Sequence, residues 1–327
     1  MPVAPPEAVQ WVRTYGNAVS TALFDPACAR FTTRGVDGAI AYKMGWGCAV
    51  AIGDPVCAPD DRVTLARAFQ SEAGKRGLAT VFAVASEPFA QAMASYGAAA
   101  VGFGKELVLD PERDPSKGSK GRELRKKLTH AQKAGLRAGE YKRSRFANAM
   151  VERELEHVGR AWVDHRRGPQ VFLTGVRLFE APDVTRYFHV RDADHYVGVL
   201  TTLRLDSRDG YSLNHIVTTP DAPDGTSELL IAHTLATLGS EGCRFATFGP
   251  SPDNELGSVM NLSSWSERLA RKVFSKCSEA FHLDARTRYR RKFQVAGEEP
   301  SYLVFDPPRI GPKQLAGVLR AFNVSLA

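Results

Sequence analysis

Long apolar runs are missing: no stretch of the 327 residues reaches the roughly 18 consecutive apolar side chains that a membrane helix needs. The opening "MPVAPPEAVQWVRTYG" has neither a basic n-region nor an apolar h-region, which argues against a secretory leader. Cysteine is scarce: five residues, Cys28, Cys48, Cys57, Cys243 and Cys277, form no C-x-x-C pair and have no histidine at zinc-ligand spacing. That argues against a disulfide framework or a zinc site and predicts buried, reduced thiols in a cytoplasmic protein. A P-loop, a convincing Ser-His-Asp order and any metal-ligand cluster are also missing from the sequence.

Positive charge is in excess. The formal net charge is +7, and the segment Lys117–Arg145 holds eleven basic residues against two acids, Glu123 and Glu140, so it carries more than the whole surplus. Inside it, Leu124, Leu128 and Ala131 recur at i, i+4 and i+7, which predicts an amphipathic helix. Arg122, Arg125, Lys126 and Lys133 lie mostly off that stripe, a face suited to a phosphate-rich partner whose binding weakens with salt. A second segment, "DARTRYRRKFQ" (Asp284–Gln294), interleaves Arg286, Arg288, Arg290, Arg291 and Lys292 with Tyr289 and Phe293. Arginines pair phosphates while rings stack bases, as a nucleotide end requires. A solvated face for the first segment, and a core-anchored helix for the second, are the plainer readings.

Strand and helix patterns alternate along the chain. Two short strands flank Gly45-Trp46-Gly47, a helix follows over Asp60–Gly77, then a buried strand at Leu78–Ser86, a helix at Glu87–Gly97 and a strand at Ala98–Asp110. After the loop Pro111–Gly121 and the basic helix, the order restarts with a helix at Asn148–Arg167. Strands at "RYFHVRD", "HYVGVLTTLRLD" and "GYSLNHIVTT", a helix at Ser227–Leu238 and a strand at "RFATFGPSP" follow. The repeated order predicts two α/β domains of similar plan.

The junction "TTPDAPDGTSELL" (Thr218–Leu230) reads as strand end, turn and helix start, a place where exposed N–H groups can hold an anion. It has one glycine, Gly225, and two carboxylates, Asp221 and Asp224, which would repel a pyrophosphate. Asp224 or Thr226 suits a helix cap, with Glu228 in the first turn. In "YSLNHIV", alternation puts Tyr211, Leu213, His215 and Val217 on one face and Ser212, Asn214 and Ile216 on the other. His215 reads either as a general base or as a satisfied core histidine.

Four motifs in order, "AVAIGDPV", "PDAPDGTSELL", "FATFGPSP" and "RYRRKF…PSYL", resemble the soluble C-terminal domain of the phosphatidylglycerol lysyltransferase family, also called the multiple peptide resistance factors. Pro220–Gly225 resembles the family's Pro-x-Ala-Pro-Asn-Gly turn with Asp224 in place of asparagine. Thr247–Pro252 resembles its Leu-Gly-Met-Ala-Pro strand end, keeping Gly249 and Pro252, and Trp162 sits where the family has a tryptophan. The likeness runs from about Phe31 to Phe305.

The resemblance implies an α/β (α+β) fold of two tandem GNAT-like acyltransferase domains, each a mixed, mainly antiparallel sheet flanked by helices. The division expected is 1–121, a basic connecting helix and linker at 122–147, and a catalytic domain at 148–327. It implies transfer of an amino acid from the 3′ end of an aminoacyl-tRNA to a hydroxyl or amine acceptor, a phosphatidylglycerol-like lipid or a small molecule. No cofactor is implied beyond the aminoacyl-tRNA co-substrate, because the ester supplies the driving force. Arg122, Arg125, Lys126, Lys133, Arg288, Arg291 and Lys292 are expected to hold the tRNA, and Asn214 and His215 to line the reaction centre. Asp221, Asp224 and Glu228 are expected to orient the α-ammonium, with Gly249 beside the substrate. Three departures stand out: the family's membrane-spanning half is not in this sequence, its Asp-Leu-Met-Arg strand reads Asn214-His215-Ile216-Val217, and a tryptophan is replaced near Gly297. They imply a freestanding catalytic unit, in the cytoplasm or at the inner membrane face, and leave the acceptor open between a phosphatidylglycerol-like lipid and a small molecule. An acyl-CoA-dependent N-acyltransferase and a non-catalytic module for RNA or anionic membranes are the other readings.

Overall fold

The computed structural model describes residues 4–143, 147–165, 176–253, 255–281 and 283–322, and of 277–281 and 283–286 the backbone alone. The strands are β1 (Ala29–Phe31), β2 (Gly38–Gly45), β3 (Cys48–Ile52), β4 (Val56–Cys57), β5 (Ala79–Ser86), β6 (Ala99–Leu109), β7 (Arg137–Tyr141), β8 (Thr185–Arg191), β9 (Tyr196–Leu205), β10 (Gly210–Thr218), β11 (Ala246–Pro252), β12 (Val259–Met260) and β13 (Gly297–Asp306). The helices are α1 (Pro6–Tyr15), α2 (Arg62–Lys75), α3 (Glu87–Ser95), α4 (Arg122–Lys133), α5 (Ala149–His165), α6 (Thr226–Ser240), α7 (Ser264–Phe281), α8 (Leu283–Arg291) and α9 (Pro312–Ala321). None of the described helices is long and apolar enough to cross a membrane.

The strands join into one sheet in the order β1-β2-β3-β5-β13-β6-β11-β10-β9-β8-β7. Pairing is antiparallel except for β3 with β5 and β10 with β11. The last strand, β13, inserts between β5 and β6, pairing Ser301 with both Ser86 and Gly104. Residues 297–306 thus complete the first half of the sheet, a non-local pairing that alternation alone does not reveal.

Helices cover both faces because each strand buries residues on both sides. Around β2, β3, β5 and β6, one face packs Leu65, Phe69, Phe89 and Met93 from α2 and α3. The other face takes Val12 of α1 and Val318 of α9. Around β8 to β11, Leu124 and Ala131 of α4 pack with Leu230 and Leu235 of α6 on one face, while Leu155 and Val158 of α5 cover the other. The basic amphipathic helix therefore docks through the stripe its sequence predicts. The four described cysteines are buried free thiols, and Cys277 lies among the side chains outside the described set.

The alternation expected for β10 does not hold. Its register against β9 slips between Leu213 and Ile216, so Asn214 and His215 form a bulge, and Leu213 and Ile216 join the core under α4 and α6 while Val217 packs under α5. An inserted residue reverses the inside–outside phase of everything after it.

Candidate active site

The two parallel pairs differ. β3 and β5 stay in register from Cys48↔Ala79 to Ile52↔Ala83. β10 and β11 pair only at Tyr211↔Ala246 and Ser212↔Thr247, after which β10 continues along β9 and β11 along β6. Both strands bulge at the parting, β11 between Thr247 and Pro250, where Gly249 has φ +70°. The result is a V-shaped opening between the carboxyl ends of two parallel strands, a usual place for a ligand in an α/β sheet.

Asn214 and His215 sit at that opening. Thr201 Oγ1 receives the backbone N–H of His215 at 3.2 Å and lies 3.1 Å from its Nδ1. The Thr201 hydroxyl can both donate and accept, so this pair fixes the position of the imidazole in either tautomer. The two residues line a cavity of about 30 Å³ with Thr21, Phe24, Arg177 and Glu180, room for about one water. Burial pushes the Glu180 carboxyl up to about 7, against the Arg177 guanidinium 3.4 Å away.

A larger cavity, about 370 Å³, lies where the carboxyl ends of β5 and β11 approach each other across β13 and β6. Glu87, Glu106, Glu298 and Glu299 line it, with Asn17, Ser86 and Pro250. Glu298 is paired with Lys105 and Arg291, and Glu299 with Arg208. Glu87 instead accepts a hydrogen bond from Tyr302 at 3.2 Å, and Glu106 lies beside the Thr247 hydroxyl, which donates to the Leu107 carbonyl at 3.2 Å. Burial holds the Glu106 carboxyl above the usual range, and neighbouring Glu299 adds to the rise. Val84, also in the wall, has φ +68°, a strained conformation for a β-branched residue. The loop after α1 connects the cavities: Asn17 and Val19 line the large one, Thr21 and Phe24 the small one.

The Gly-Asp-Pro motif supports this wall. Asp54 accepts from the Ser86 amide at 2.8 Å and the Ser86 hydroxyl at 2.6 Å, and Ser86 also caps α3. Burial raises the Asp54 carboxyl, opposed by the Ser86 bonds and by Arg62. The motif thus ties the end of β3 to the end of β5.

The Asp221–Glu228 turn is placed otherwise. Asp221 is exposed, Asp224 receives the Lys127 ammonium at 2.7 Å, and buried Glu228 accepts from Ser227 at 3.1 Å with Lys292 3.6 Å away. Gly225 starts α6 at φ +91°, and a Cβ there would fall 2.4 Å from the Lys127 carbonyl. The single glycine therefore lets α4 close over the start of α6, where a cofactor loop would need open space. Arg122, Arg125, Lys126 and Lys133 are exposed on α4, with Arg125 also bonding loop carbonyls at Ser116 and Gly118. Arg288 is exposed, Arg291 is paired with Glu298, and Lys292 lies between Glu123 and Glu228. Gly249 gives its carbonyl to Arg290 at 3.2 Å. Sequence reasoning missed the four cavity glutamates; "GEEPSYL" sits beside the basic segment, but only the insertion of β13 brings it to Glu87 and Glu106.

One large, mainly antiparallel sheet flanked by helices, with a V between parallel strands and an acid-lined cavity nearby, defines a mixed α/β fold. The chain belongs to the family described as phosphatidylglycerol lysyltransferase, C-terminal, whose model matches residues 13–305. It resembles the putative lysylphosphatidylglycerol synthetase C-terminal domain of Agrobacterium fabrum, with a TM-score of 0.77 and 19% identity over 96% of this chain and 94% of that one. It also resembles L-PGS of Bacillus licheniformis, with a TM-score of 0.79 and 18% identity over 99% and 98% of the two chains. The lysylphosphatidylglycerol biosynthesis bifunctional protein LysX of Mycolicibacterium gilvum is 26% identical over 84% of this chain and 25% of its own length. The chain spans about a quarter to a third of the curated relatives it matches.

Proposed function

We propose that the protein is an aminoacyltransferase that moves an amino acid from the 3′ end of an aminoacyl-tRNA to a hydroxyl or amine of a lipid or small-molecule acceptor. The observation that carries this reading is the acid-lined 370 Å³ cavity at converging strand ends, in a chain matched from 13 to 305 by the lysyltransferase family. Carboxylates suit the ammonium of an aminoacyl group as they would not suit a CoA pyrophosphate. This moves the ammonium-binding role from Asp221, Asp224 and Glu228, which are exposed or engaged by the chain's own lysines, to Glu87 and Glu106. We read the architecture as two GNAT-like units, 1–121 and 148–327 linked through 122–147, with one parallel strand pair each and β13 lent to the first.

In this reading the acceptor heteroatom attacks the ester carbonyl, the bond to the ribose oxygen breaks, and the acceptor proton ends on that oxygen. No metal or redox partner is needed for the atoms to balance. The imidazole of His215 and the amide of Asn214 line the place where charge develops on oxygen, so positioning and electrostatic stabilisation supply the rate. The exposed basic face of α4 holds the acceptor arm of the tRNA, and the protein works in the cytoplasm or against the inner membrane face.

The test is incubation with mixed charged tRNAs and a cell extract. An aminoacylated product that disappears with ribonuclease treatment, and that falls when His215→Gln is used, is the expected result. Deacylation no faster than without protein, with no adduct, overturns the proposal. Measurable CoA binding by calorimetry would favour the N-acyltransferase instead, although α4 covers the helix start that a pyrophosphate would need.

A further inference from the structure

Four of the six large hydrophobic residues found exposed among the described ones, Met44, Trp46, Tyr96 and Trp265, gather at one end of the sheet. The end of β2, the start of β3, the start of β5, the end of β13 and the start of β6 lie side by side there, through Gly45↔Cys48, Cys48↔Ala79, Thr80↔Asp306 and Ala99↔Phe305. Four strand spacings make this edge about 19 Å long. Met44 and Trp46 stand at the β2–β3 turn, and Tyr96 at the turn from α3 into β6. Asn261 donates to the carbonyls of Ala94 and Ala98 at 2.7 and 3.0 Å, which ties the approach to α7, and with it Trp265, to the Tyr96 turn.

We propose that this edge is a docking surface for an anionic lipid bilayer. Trp46 is 65% exposed and Trp265 64%, so most of each indole faces water. Trp46 also has φ +54° and is followed by Gly47 at φ +77°. That is the two-residue hairpin turn in which Asn-Gly is favoured, and a tryptophan at its first position is strained. A side chain kept exposed in a strained position serves something outside the fold. Indole at a membrane–water boundary satisfies both its apolar ring and its N–H.

The charges beside these rings fix the lipid class. A Cβ on Gly47 would lie 3.8 Å from the Lys313 side chain and one on Gly45 2.7 Å from that of Arg320, so both cations flank the turn. The Arg67 guanidinium lies 5.1 Å over the Tyr96 ring. Lys75 and Arg76, just before β5, share the single carboxylate of Glu72. Interfacial aromatics among exposed cations match an anionic headgroup layer. The face of α4 is different: among the described residues its cations have no exposed large aromatic beside them, which suits a phosphate backbone.

The inference does not depend on the reaction proposed above. Its test uses the intact protein with vesicles of phosphatidylglycerol and phosphatidylcholine against phosphatidylcholine alone. Expected are co-sedimentation with the anionic vesicles only, weakening as salt rises, and quenching of tryptophan fluorescence by brominated acyl chains. Trp46→Asn restores the favoured Asn-Gly turn, so it keeps or raises the melting temperature while lowering the partition coefficient roughly tenfold. Equal vesicle binding by Trp46→Asn and the parent overturns the proposal. So does loss of vesicle binding on reversing Arg122 and Lys126 of α4, with Trp46→Asn unchanged. A concentration-dependent dimer abolished by Trp46→Asn assigns the edge to a second copy of the chain and also overturns it. RNA-dependent transfer to a soluble acceptor is unaffected by Trp46→Asn, so failure here is distinct from failure of the reaction.

Discussion

Lys127 holds the turn at the start of α6 with both ends of its residue: its ammonium lies 2.7 Å from each carboxylate oxygen of Asp224, and its carbonyl is 2.4 Å from where a Cβ on Gly225 would fall. The two contacts differ greatly in strength. Asp224 is 59% exposed, so the ion pair is screened and is worth at most about 1 kcal/mol. Gly225→Ala meets a positive φ and a backbone wall together, a loss of about 2–4 kcal/mol. Urea unfolding should place Asp224→Asn near the parent and Gly225→Ala well below it. Equal midpoints for parent and Gly225→Ala would show that α4 can retreat without penalty.

Glu180 predicts a pH dependence of stability. Its folded value is raised to about 7 by burial, above the ordinary value for a free glutamate, so the folded protein binds the proton more tightly than the unfolded chain. Stability from this group is then fully present below about pH 4.5 and is lost as pH rises through about 7. Glu180→Gln removes the charged form and should gain about 1–3 kcal/mol at pH 8 while changing little at pH 4. Thermal melts of both proteins at the two pH values check this. A parallel pair of curves would mean that Arg177, 3.4 Å away, already neutralises the buried charge.

Much of the fold was legible because local patterns were consistent. The stripe Leu124, Leu128 and Ala131 located α4 and its buried face, and Gly45-Trp46-Gly47 marked the hairpin between β2 and β3. The β10 faces were misread because a bulge has no sequence period, and its extra residue at Asn214–His215 inverts the pattern downstream. The site was half legible for a related reason. Asn214 and His215 could be found on one strand, whereas Glu87, Glu106 and Glu299 become neighbours only through β13, across long sequence separations. Charge alone does not show pairing: Lys292 and Asp224, expected at ligands, each have an oppositely charged partner inside the chain.

The acid-lined cavity predicts a separation of binding from folding. Glu106 is held by burial above the usual carboxylate range, so its charge does not favour the fold. Glu106→Gln keeps the size and hydrogen-bonding capacity of the side chain, and the Thr247 hydroxyl keeps its bond to the Leu107 carbonyl, so the melting temperature should stay near that of the parent. Losing a buried charged contact to an ammonium of about 1.5–3 kcal/mol should lower kcat/KM for aminoacyl-tRNA by roughly 10- to 100-fold. Glu87→Gln, facing the same cavity, should act in the same direction. Transfer assays at matched RNA concentrations decide it; unchanged kcat/KM in both variants would remove the cavity from the reaction.

The basic residues divide into two groups that salt can tell apart. Arg122 and Lys126 are exposed on α4, whereas Lys292, with 18% of its side chain exposed, sits 2.8 Å from Glu123 and 3.6 Å from buried Glu228. If the α4 face holds the tRNA backbone, replacing Arg122 and Lys126 by glutamine removes two phosphate contacts. The slope of log K against log salt should then become shallower by about 1.4–1.8. Lys292→Gln should leave that slope unchanged and instead lower stability by about 1–3 kcal/mol, because Glu228 is left buried without its cation. Filter binding of tRNA between 50 and 200 mM salt, beside urea melts, measures both, with that range chosen because the loss of affinity over it is large. A slope altered by Lys292→Gln and not by the α4 pair would reverse the assignment, making the α8 end the contact and α4 a solvated face.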